Sequence, residues 1–448
     1  MGAMRKVYIH TLGCPKNEVD SEVMAGILAR RGLETTDSID EADLLLVNTC
    51  TFIDDAKEES IQAILEAGEA KGKRKLLVTG CLAERYGNEL RKEIPEIDGL
   101  VGVRSLHRVG EEAERLLGGL PVCDPAEASG DENRLGPGRS LLGPVHTAYL
   151  KVAEGCDRPC AFCSIPSFRG GLASRTLDSL EREARGLALR GAKEIVIVGQ
   201  ETTAYGKDLG EDASLATLLD RLHPIEGLRW VRILYAYPTA VEDDLIERLA
   251  AGKACRYIDV PIQHVSDSLL RAMRRGTSGK GVRETIRRLR EGVPCIAIRT
   301  SLLVGFPGES SEDFDELRRY VEETAFDRLG VFRFSPQEGT VAATLPDPVP
   351  EEVALERQQI LTDLQEAIAD ERGRALVGTR TEILVDEADE KGVWGRTESD
   401  APEIDGAVFL PGVTAKPGDF LHVRITEAGG STLIAEPLER QPWPSASS

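Results

Sequence analysis

Two long stretches of this chain alternate short apolar runs with helical patterns, and this alternation strongly limits the possible folds. In the first 120 residues, the runs at 7–10, 44–47 and 76–78 have the length and composition of buried parallel strands. An amphipathic helix that ends near Gly32 connects the first two runs. Strands that alternate with helices predict a doubly wound α/β sheet, in which the carboxyl ends of the strands share one edge.

A second alternation runs from about Val145 to Arg374. Six strands with intervening helices predict an open or partial barrel. The candidate strands are 148–152, 194–198, 230–235, 257–260, 296–304 and 331–334. A long helical pattern follows from Glu351 to Arg372, and Gly373 is expected to end it.

The composition changes at two further places. Residues 124–143 are rich in Pro, Gly, Ser and charge, which is typical of a linker. Beyond the long helix, short strands at 381–385, 392–396, 407–410 and 420–425 predict a small β-barrel of the oligonucleotide-binding type. We therefore divide the chain into an α/β domain, a linker, a partial-barrel domain, a small β-barrel and a tail, at residues 1–123, 124–143, 144–374, 375–440 and 441–448.

The net charge of the chain limits its partners. Asp and Glu number 76 against 55 Lys and Arg, which gives a formal charge of −21 and favours a basic partner over a phosphate backbone. The longest apolar runs are far shorter than the ~18–20 residues of a membrane helix. The N-terminus lacks the apolar core of a signal peptide. The sequence therefore predicts a cytoplasmic protein without a membrane partner, whose nine cysteines are reduced.

The strongest local motif is the C-x3-C-x2-C pattern of Cys156, Cys160 and Cys163. Thiolates are the usual ligands of iron–sulfur clusters, and three of them leave one iron of a cubane open to a cofactor or substrate. The motif follows a predicted strand, which places it at the carboxyl rim of the second domain. A zinc site is the alternative, but the second C-x2-C unit or spaced histidine that zinc usually needs is missing nearby.

Cys156, Cys160, Phe162 and Cys163 resemble the signature of the radical S-adenosylmethionine (radical SAM) family. The resemblance implies that the open iron binds the amino and carboxylate groups of S-adenosylmethionine. An electron from the cluster would then cleave it to methionine and a 5′-deoxyadenosyl radical. Further segments at predicted strand ends resemble the family's cofactor contacts, which implies cofactor-binding roles for Phe162, Gly199, Gln200, Glu201, Gln263, Gly305, Pro307 and Gly308.

Three more cysteines occupy equivalent positions in the first domain. Cys14, Cys50 and Cys81 each stand just past the carboxyl end of a predicted strand, so they share the edge where such sheets bind ligands. Gly13 and Gly80 precede two of them and permit tight turns. A single cysteine there would be interpreted as an ordinary core residue. Three at equivalent positions favour a metal site.

A second group of three cysteines beside a radical SAM motif resembles the methylthiotransferases, which combine an N-terminal cluster domain, a radical SAM core and a C-terminal TRAM β-barrel. The resemblance implies two [4Fe–4S] clusters and two uses of S-adenosylmethionine. One molecule would methylate a sulfur held at the N-terminal cluster, and another would generate the radical. A flavodoxin- or ferredoxin-like donor would supply the electron. A non-catalytic iron–sulfur interaction module is the alternative from another class.

Three segments resemble the branch of this family that modifies a ribosomal protein: 12–17, 48–60 and 81–86. In the first of them, the tRNA-modifying branch usually has Gln-Met in place of Pro15-Lys16. The resemblance implies transfer of a methylthio group to the β-carbon of an aspartate in small-subunit ribosomal protein S-twelve. Modification of a tRNA adenosine is the alternative.

The charge of the C-terminal barrel gives an independent argument about the substrate. Residues 376–440 carry 6 cations and 13 anions, a net charge of −7. An RNA-binding barrel needs a positive groove and stacking aromatic side chains. We therefore expect a basic ribosomal protein as partner and not a nucleic acid.

The remaining features are less specific. Cys123, Cys255 and Cys295 lack ligand spacing and are interpreted as core or incidental thiols. An arginine-rich stretch between Arg271 and Arg290 is either a solvated face or a docking surface for an acidic element of a partner or reductant.

Overall fold

The computed structural model describes residues 5–120, 138–210 and 212–438. Within these ranges the strands form a five-stranded parallel sheet, a six-stranded parallel sheet, a two-stranded ribbon and a closed five-stranded barrel. Cys123 and the predicted tail lie outside the described residues, as does most of the predicted linker. Among the described helices, none combines the length and apolar character that a membrane crossing requires.

The N-terminal sheet is doubly wound, as predicted. Its strand order is β2-β1-β3-β4-β5, so the direction of winding reverses between β1 and β3, where open sheets of this kind bind ligands. The sequence did not indicate β2 and β5, which are short. The strands are β1 (Arg5–Thr11), β2 (Leu33–Thr35), β3 (Leu44–Thr49), β4 (Lys75–Gly80) and β5 (Gly99–Gly102), and the helices are α1 (Pro15–Arg30), α2 (Asp54–Ala70), α3 (Cys81–Glu93) and α4 (Val109–Leu117).

The second sheet is the predicted partial barrel. Its six strands pair in parallel in the order β6-β9-β10-β11-β12-β13, and β6 and β13 form the two edges. The strands are β6 (Thr147–Lys151), β9 (Glu194–Val198), β10 (Trp230–Ile233), β11 (Ala254–Asp259), β12 (Ala297–Val304) and β13 (Arg328–Arg333). The helices are α6 (Leu177–Leu189), α7 (Leu215–Leu222), α8 (Asp243–Leu249), α9 (Asp267–Ala272), α10 (Gly279–Gly292) and α11 (Ser311–Thr324). The ribbon β7 (Ala153–Glu154) and β8 (Ala173–Ser174) and the short helix α5 (Ile165–Arg169) flank the cysteine loop.

Five of the six strands in this sheet differ from their predicted boundaries by one to three residues, and one of these differences has a clear physical reason. The strand expected to reach Tyr235 ends at Ile233. Tyr235 has a φ of 61°, in the left-handed region that strands do not use. Its backbone N–H donates to Asp259 Oδ2 at 3.0 Å instead of continuing the ladder.

The two outer domains cover the face of the partial barrel that is turned away from its helices. Apolar side chains of this face, including Tyr149, Trp230 and Tyr257, pack with Val19 of α1 and with Phe420 of the C-terminal barrel. All three parts of the chain therefore contribute to one shared apolar cluster.

The predicted end of the long helix is wrong. Helix α12 spans Glu351–Leu376 and continues through Gly373. A Cβ on Gly373 would lie 3.2 Å from the Cβ of Ala428, so this glycine serves the close approach of α12 to the C-terminal barrel. Its role is packing and not helix termination.

The C-terminal strands close into the predicted small barrel, in the order β14-β15-β16-β18-β17. Arg396 of β15 fixes the barrel to the core through a buried ion pair with Glu194, whose atoms lie 2.8 Å apart. The last strand was not predicted. The strands are β14 (Arg380–Ala388), β15 (Gly392–Arg396), β16 (Ala407–Pro411), β17 (Phe420–Gly429) and β18 (Thr432–Pro437).

The described end of the predicted linker is packed against the protein. Arg139 is buried and forms ion pairs with Glu22 of α1 at 3.1 Å and with Glu183 of α6 at 3.2 Å. Residues 138–143 therefore help to join the first domain to the second.

Candidate functional site

The three N-terminal cysteines lie at one edge of the first sheet, as the sequence indicates. Cys14 immediately precedes α1, Cys50 follows β3, and Cys81 begins α3 directly after β4. Gly13 and Gly80 have φ angles of 95° and 94°. A Cβ on Gly13 would stand 2.8 Å from the Cβ of Cys50, so the backbone approaches this closely because the residue is glycine.

The thiols of this group influence one another. Burial, followed by the charge of Cys14, raises the pKa of Cys50. Burial raises the pKa of Cys81 to about 12, with Cys14 and Cys50 adding to it and Arg169 opposing it. Burial therefore disfavours the thiolate form of Cys50 and Cys81, and a bound metal cluster would supply the positive charge that thiolates need.

The C-x3-C-x2-C cysteines form a second group at the rim of the partial barrel, beyond β7. The Cys156 N–H donates to the Gly170 carbonyl at 3.1 Å, and the Cys163 N–H to the Cys160 carbonyl at 3.2 Å. Burial raises the pKa of Cys163 to about 12, and both other cysteines of the motif contribute. The loop therefore folds back on itself, with Cys160 and Cys163 in one tight turn.

Two N–H groups point at the sulfur atoms of this loop. The backbone N–H of Arg158 donates to Cys156 Sγ at 3.4 Å, and Arg275 Nη1 donates to Cys160 Sγ at 3.3 Å. Such donors stabilise negative charge on ligating sulfur. The described residues contain no group of three or more His, Cys, Asp or Glu side chains arranged around the position of a single metal ion. In a cubane each thiolate contacts a different iron, so the ligands of a cluster do not meet at one point.

The segment after β9 joins the cysteine loop. The Arg158 guanidinium, inside the motif, donates to the Glu201 carboxylate at 2.6 and 2.5 Å. Gln200 Nε2 donates to Glu154 Oε1 at 2.8 Å. Gly199 immediately follows the strand. Two of the three cofactor-binding candidates in this segment are thereby tied to residues at or beside the cysteine loop.

The glycine-rich turn also meets the cysteine loop. Gly305 follows the end of β12 with a φ of 75°, and Gly308 has a φ of 83°. Between them, Phe306 is fully buried in an apolar cluster that includes Ala161 and against which Phe162 packs. Pro307 lies within this turn.

The structure fixes Gln263 through its backbone. Its φ is 70°, and its backbone N–H donates to the Ser301 carbonyl of β12 at 2.9 Å. These contacts fix its backbone at the strand edge. Its side chain has no hydrogen bond among the described residues.

A buried network of charges joins the two cysteine groups, and the sequence reasoning missed it. Arg169 stands six residues after Cys163 and donates to Cys81 Sγ at 3.1 Å. The same side chain donates to Asn17 Oδ1 at 2.7 Å and to Glu154 at 2.9 Å. It also pairs with Asp20 at 3.1 Å. One side chain thus connects the loop of the core cysteines to a cysteine of the first domain.

A second cation completes the network. Lys151 of β6 is fully buried and pairs with Glu154 at 2.9 Å and with Asp20. Burial raises the pKa of Glu154, but the charges of Arg169 and then Lys151 outweigh burial and hold this pKa well below its usual value. The available sequence signal was a lysine inside an otherwise apolar strand, since buried charges are rare unless they are paired.

The arginine-rich stretch is mostly solvated, one of the two predicted alternatives, but one of its members is buried. Arg275 is buried against Cys160, as described above, and also donates to the Pro261 carbonyl at 2.6 Å. Arg271 and Arg274 are exposed and border a cavity of about 550 Å³. The others pair with acidic neighbours: Arg283 with Glu316, Arg287 with Glu284 and Glu291, Arg288 with Asp243, and Arg290 with Asp327.

The two other described cysteines differ in their exposure to solvent. Cys255 is buried within β11, and Cys295 is exposed before β12. These positions are compatible with core and incidental thiols.

Three family models match the chain. The uncharacterized protein family UPF0004 matches residues 6–102, the radical SAM superfamily residues 150–321, and the TRAM domain residues 377–438. These matches coincide with the first sheet, the partial barrel with its cysteine loop, and the closed barrel. The fold and the cysteine motif together therefore define a radical SAM enzyme with a TRAM barrel.

Curated relatives specify the family. Proteins called ribosomal protein uS12 methylthiotransferase RimO are similar over nearly the whole chain. The one from Anaeromyxobacter sp. (strain K) is 44% identical and covers 98% of this chain and 94% of its own length. The one from Geobacter sulfurreducens is 45% identical and covers 97% of this chain and 99% of its own length. The chain belongs to the family of ribosomal protein uS12 methylthiotransferases, which are radical SAM enzymes.

Solved structures support the fold. The radical S-adenosylmethionine methyltransferase TsrM from Kitasatospora setae has a TM-score of 0.56 at 16% identity, over 86% of this chain and 81% of that chain. The cobalamin-dependent radical enzyme OxsB has a TM-score of 0.53 at 12% identity, over 81% of this chain and 56% of that chain. At these identities the similarity concerns the fold alone.

Proposed function

We propose that this enzyme uses two [4Fe–4S] clusters and S-adenosylmethionine to add a methylthio group to the β-carbon of an aspartate in ribosomal protein uS12. The observation that carries the proposal is the pair of three-cysteine groups, one on the first sheet and one on the partial barrel, bridged by Arg169. The names of the relatives supply the substrate.

The cysteines fit this pair of cofactors. Cys156, Cys160 and Cys163 would hold one cluster, and Cys14, Cys50 and Cys81 the other, since both groups offer soft thiolate ligands in buried or half-buried surroundings. When bound, the core cluster would hold S-adenosylmethionine and supply the electron that cleaves it, and the other cluster would carry the sulfur to be transferred.

The residues around the core loop would orient the cofactor. Arg158 locks the loop to Glu201, which fixes the strand end that carries Gly199 and Gln200. Phe162 packs against the cluster that contains Phe306, so Phe162 and the turn with Gly305, Pro307 and Gly308 would together line the adenosyl part. Gln263 stays among the proposed contacts because it lies beside β12.

Arg169 would orient the two halves of the site. It reaches from the core loop to Cys81 and is itself held by Asp20 and Glu154. Because Glu154 also accepts from Gln200, a continuous chain of hydrogen bonds runs from a proposed cofactor contact to a proposed ligand of the N-terminal cluster. This arrangement keeps the radical source and the sulfur donor in a fixed relation, as catalysis by proximity requires.

The charge of the chain supports a protein substrate. A net charge of −21 and an acidic TRAM barrel favour a basic ribosomal protein over tRNA. The tRNA alternative would use the same chemistry. Family membership in an enzyme class speaks against a non-catalytic module.

Reductive cleavage of S-adenosylmethionine requires an electron donor. A small flavodoxin- or ferredoxin-like protein would supply the electron in the cytoplasm, where ribosomal proteins are assembled. Substituting such a protein for dithionite as the reductant tests this part.

The proposal keeps the predicted division into an α/β domain, a linker, a partial-barrel domain, a small β-barrel and a tail, at residues 1–123, 124–143, 144–374, 375–440 and 441–448.

The test of the function presents two substrates in parallel. Reconstituted enzyme is incubated without oxygen with S-adenosylmethionine, a reductant and either the uS12 loop peptide that contains the acceptor aspartate or an adenosine-modified tRNA. We expect the peptide to gain about 46 Da, the mass of S–CH3 less one hydrogen. Mass spectrometry of both substrates gives the answer. A gain on tRNA alone would overturn the assignment of a ribosomal substrate.

A further inference from the structure

Lys16 places a buried cation beside the N-terminal cysteines. It is the second residue of α1, two positions after Cys14, and it is 9% exposed. Its ammonium lies 3.6 Å from the centroid of the Tyr235 ring. Among the described residues, no oxygen accepts a hydrogen bond from this ammonium and no carboxylate forms an ion pair with it. Protein oxygen atoms therefore do not occupy the N–H donors of this ammonium, which leaves it able to bind an anionic ligand.

The position of Tyr235 shows where this cation points. Tyr235 follows β10 at the carboxyl rim of the partial barrel, and its N–H bonds to Asp259 at the end of β11. Lys16 therefore crosses from the cysteine edge of the first sheet to the rim of the barrel. Its ammonium lies between the two cysteine-bearing halves of the proposed site.

The nearby carboxylate does not satisfy Lys16. Asp259 is buried, accepts from Tyr235 and faces Arg299, whose Nε lies 3.9 Å from its Oδ1. Its charge acts on Lys16 less than the charges of Cys14 and Tyr235 do, and it lies beyond ion-pair distance. The π-face of Tyr235 stabilises the ammonium, and the N–H donors that point away from the ring stay available to a ligand.

We propose that Lys16 binds the side-chain carboxylate of the acceptor aspartate and thereby selects a carboxylate-bearing substrate. The inference rests on the proposed function. In aspartate the β-carbon is bonded directly to the carboxylate carbon, so a cation that holds the carboxylate also holds the reacting carbon close to Cys14. An adenine base has no carboxylate, and it would leave the ammonium without an anionic partner. Such unpaired buried groups discriminate strongly between substrates.

The experiment is a double-mutant cycle between enzyme and peptide. The dissociation constant of the uS12 loop peptide is measured for the reconstituted enzyme with S-adenosylmethionine, using the natural peptide and one with Asn in place of the acceptor Asp. We expect wild-type enzyme to bind the Asp peptide about 10- to 100-fold more tightly than the Asn peptide, as for other charge-assisted hydrogen bonds. In Lys16→Met and Lys16→Gln this preference should disappear, and in Lys16→Arg part of it should return.

The controls separate this inference from the proposed function. Lys73→Met removes an exposed lysine of the same domain and should retain the full preference. Iron content equal to wild type shows that the Lys16 variants still assemble their clusters. If Lys16→Met and Lys16→Gln both prefer the Asp peptide as strongly as wild type does, Lys16 is not the carboxylate-binding residue. If wild-type enzyme leaves the mass of the Asp peptide unchanged, the proposed function itself is wrong.

Discussion

Replacing Cys156, Cys160 and Cys163 together by alanine is expected to abolish the formation of 5′-deoxyadenosine and to remove about half of the iron. Two cubanes would give about eight irons per chain, and the variant would retain the four of the N-terminal cluster. The loss of activity is complete because the remaining residues of the loop offer no thiolate to hold the electron source. Chromatography of the nucleoside product and iron analysis of the reconstituted protein measure the two effects.

The matched control for this variant is Cys295→Ala, which removes an exposed thiol. It should retain both the iron and the nucleoside product. Four irons in the wild-type protein, with no loss in the triple variant, would contradict the account of two clusters.

Replacement of Arg169 by Gln should reduce the free energy of unfolding of the metal-free protein by about 3–5 kcal/mol, the usual cost of removing one partner from a buried ionic network. In the variant, Lys151 would be the one remaining cation of the network beside the Asp20 and Glu154 carboxylates, both of which are buried. The shift of the denaturant-induced unfolding transition measures the loss.

Arg185→Gln serves as the control for this substitution. Arg185 is 51% exposed and pairs with Glu181 one helical turn away, so its removal should cost at most about 0.5 kcal/mol. A loss below about 1 kcal/mol for Arg169→Gln would show that the network does not stabilise the junction between the first domain and the core.

The architecture could be predicted because it depends on local patterns. Buried strands such as β3 and β9 are continuous apolar runs, and the cysteines that follow strands must share an edge in a parallel sheet. Strands β2 and β5, of three and four residues, are too short to show a period. Gly373 looked like a helix end because its packing partner, Ala428, lies in a distant strand.

The network around Arg169 could not be predicted for a different reason. Arg169 and Asp20 are separated by 149 positions, and a charged residue carries no local sign of a partner that far away. The same holds for Arg275, which stands in a stretch of arginines but packs against Cys160. Tertiary placement decided which cations belong to the site and which lie on the surface.

The central claim is that the two cysteine groups have separate roles in one reaction. The most direct test replaces Cys14, Cys50 and Cys81 together by alanine and measures 5′-deoxyadenosine and the mass of the loop peptide in the same anaerobic reaction. We expect the nucleoside still to form while the peptide keeps its original mass, because the core cysteines are intact and the sulfur donor has lost its ligands. A peptide that still gains about 46 Da without these three cysteines would contradict the account.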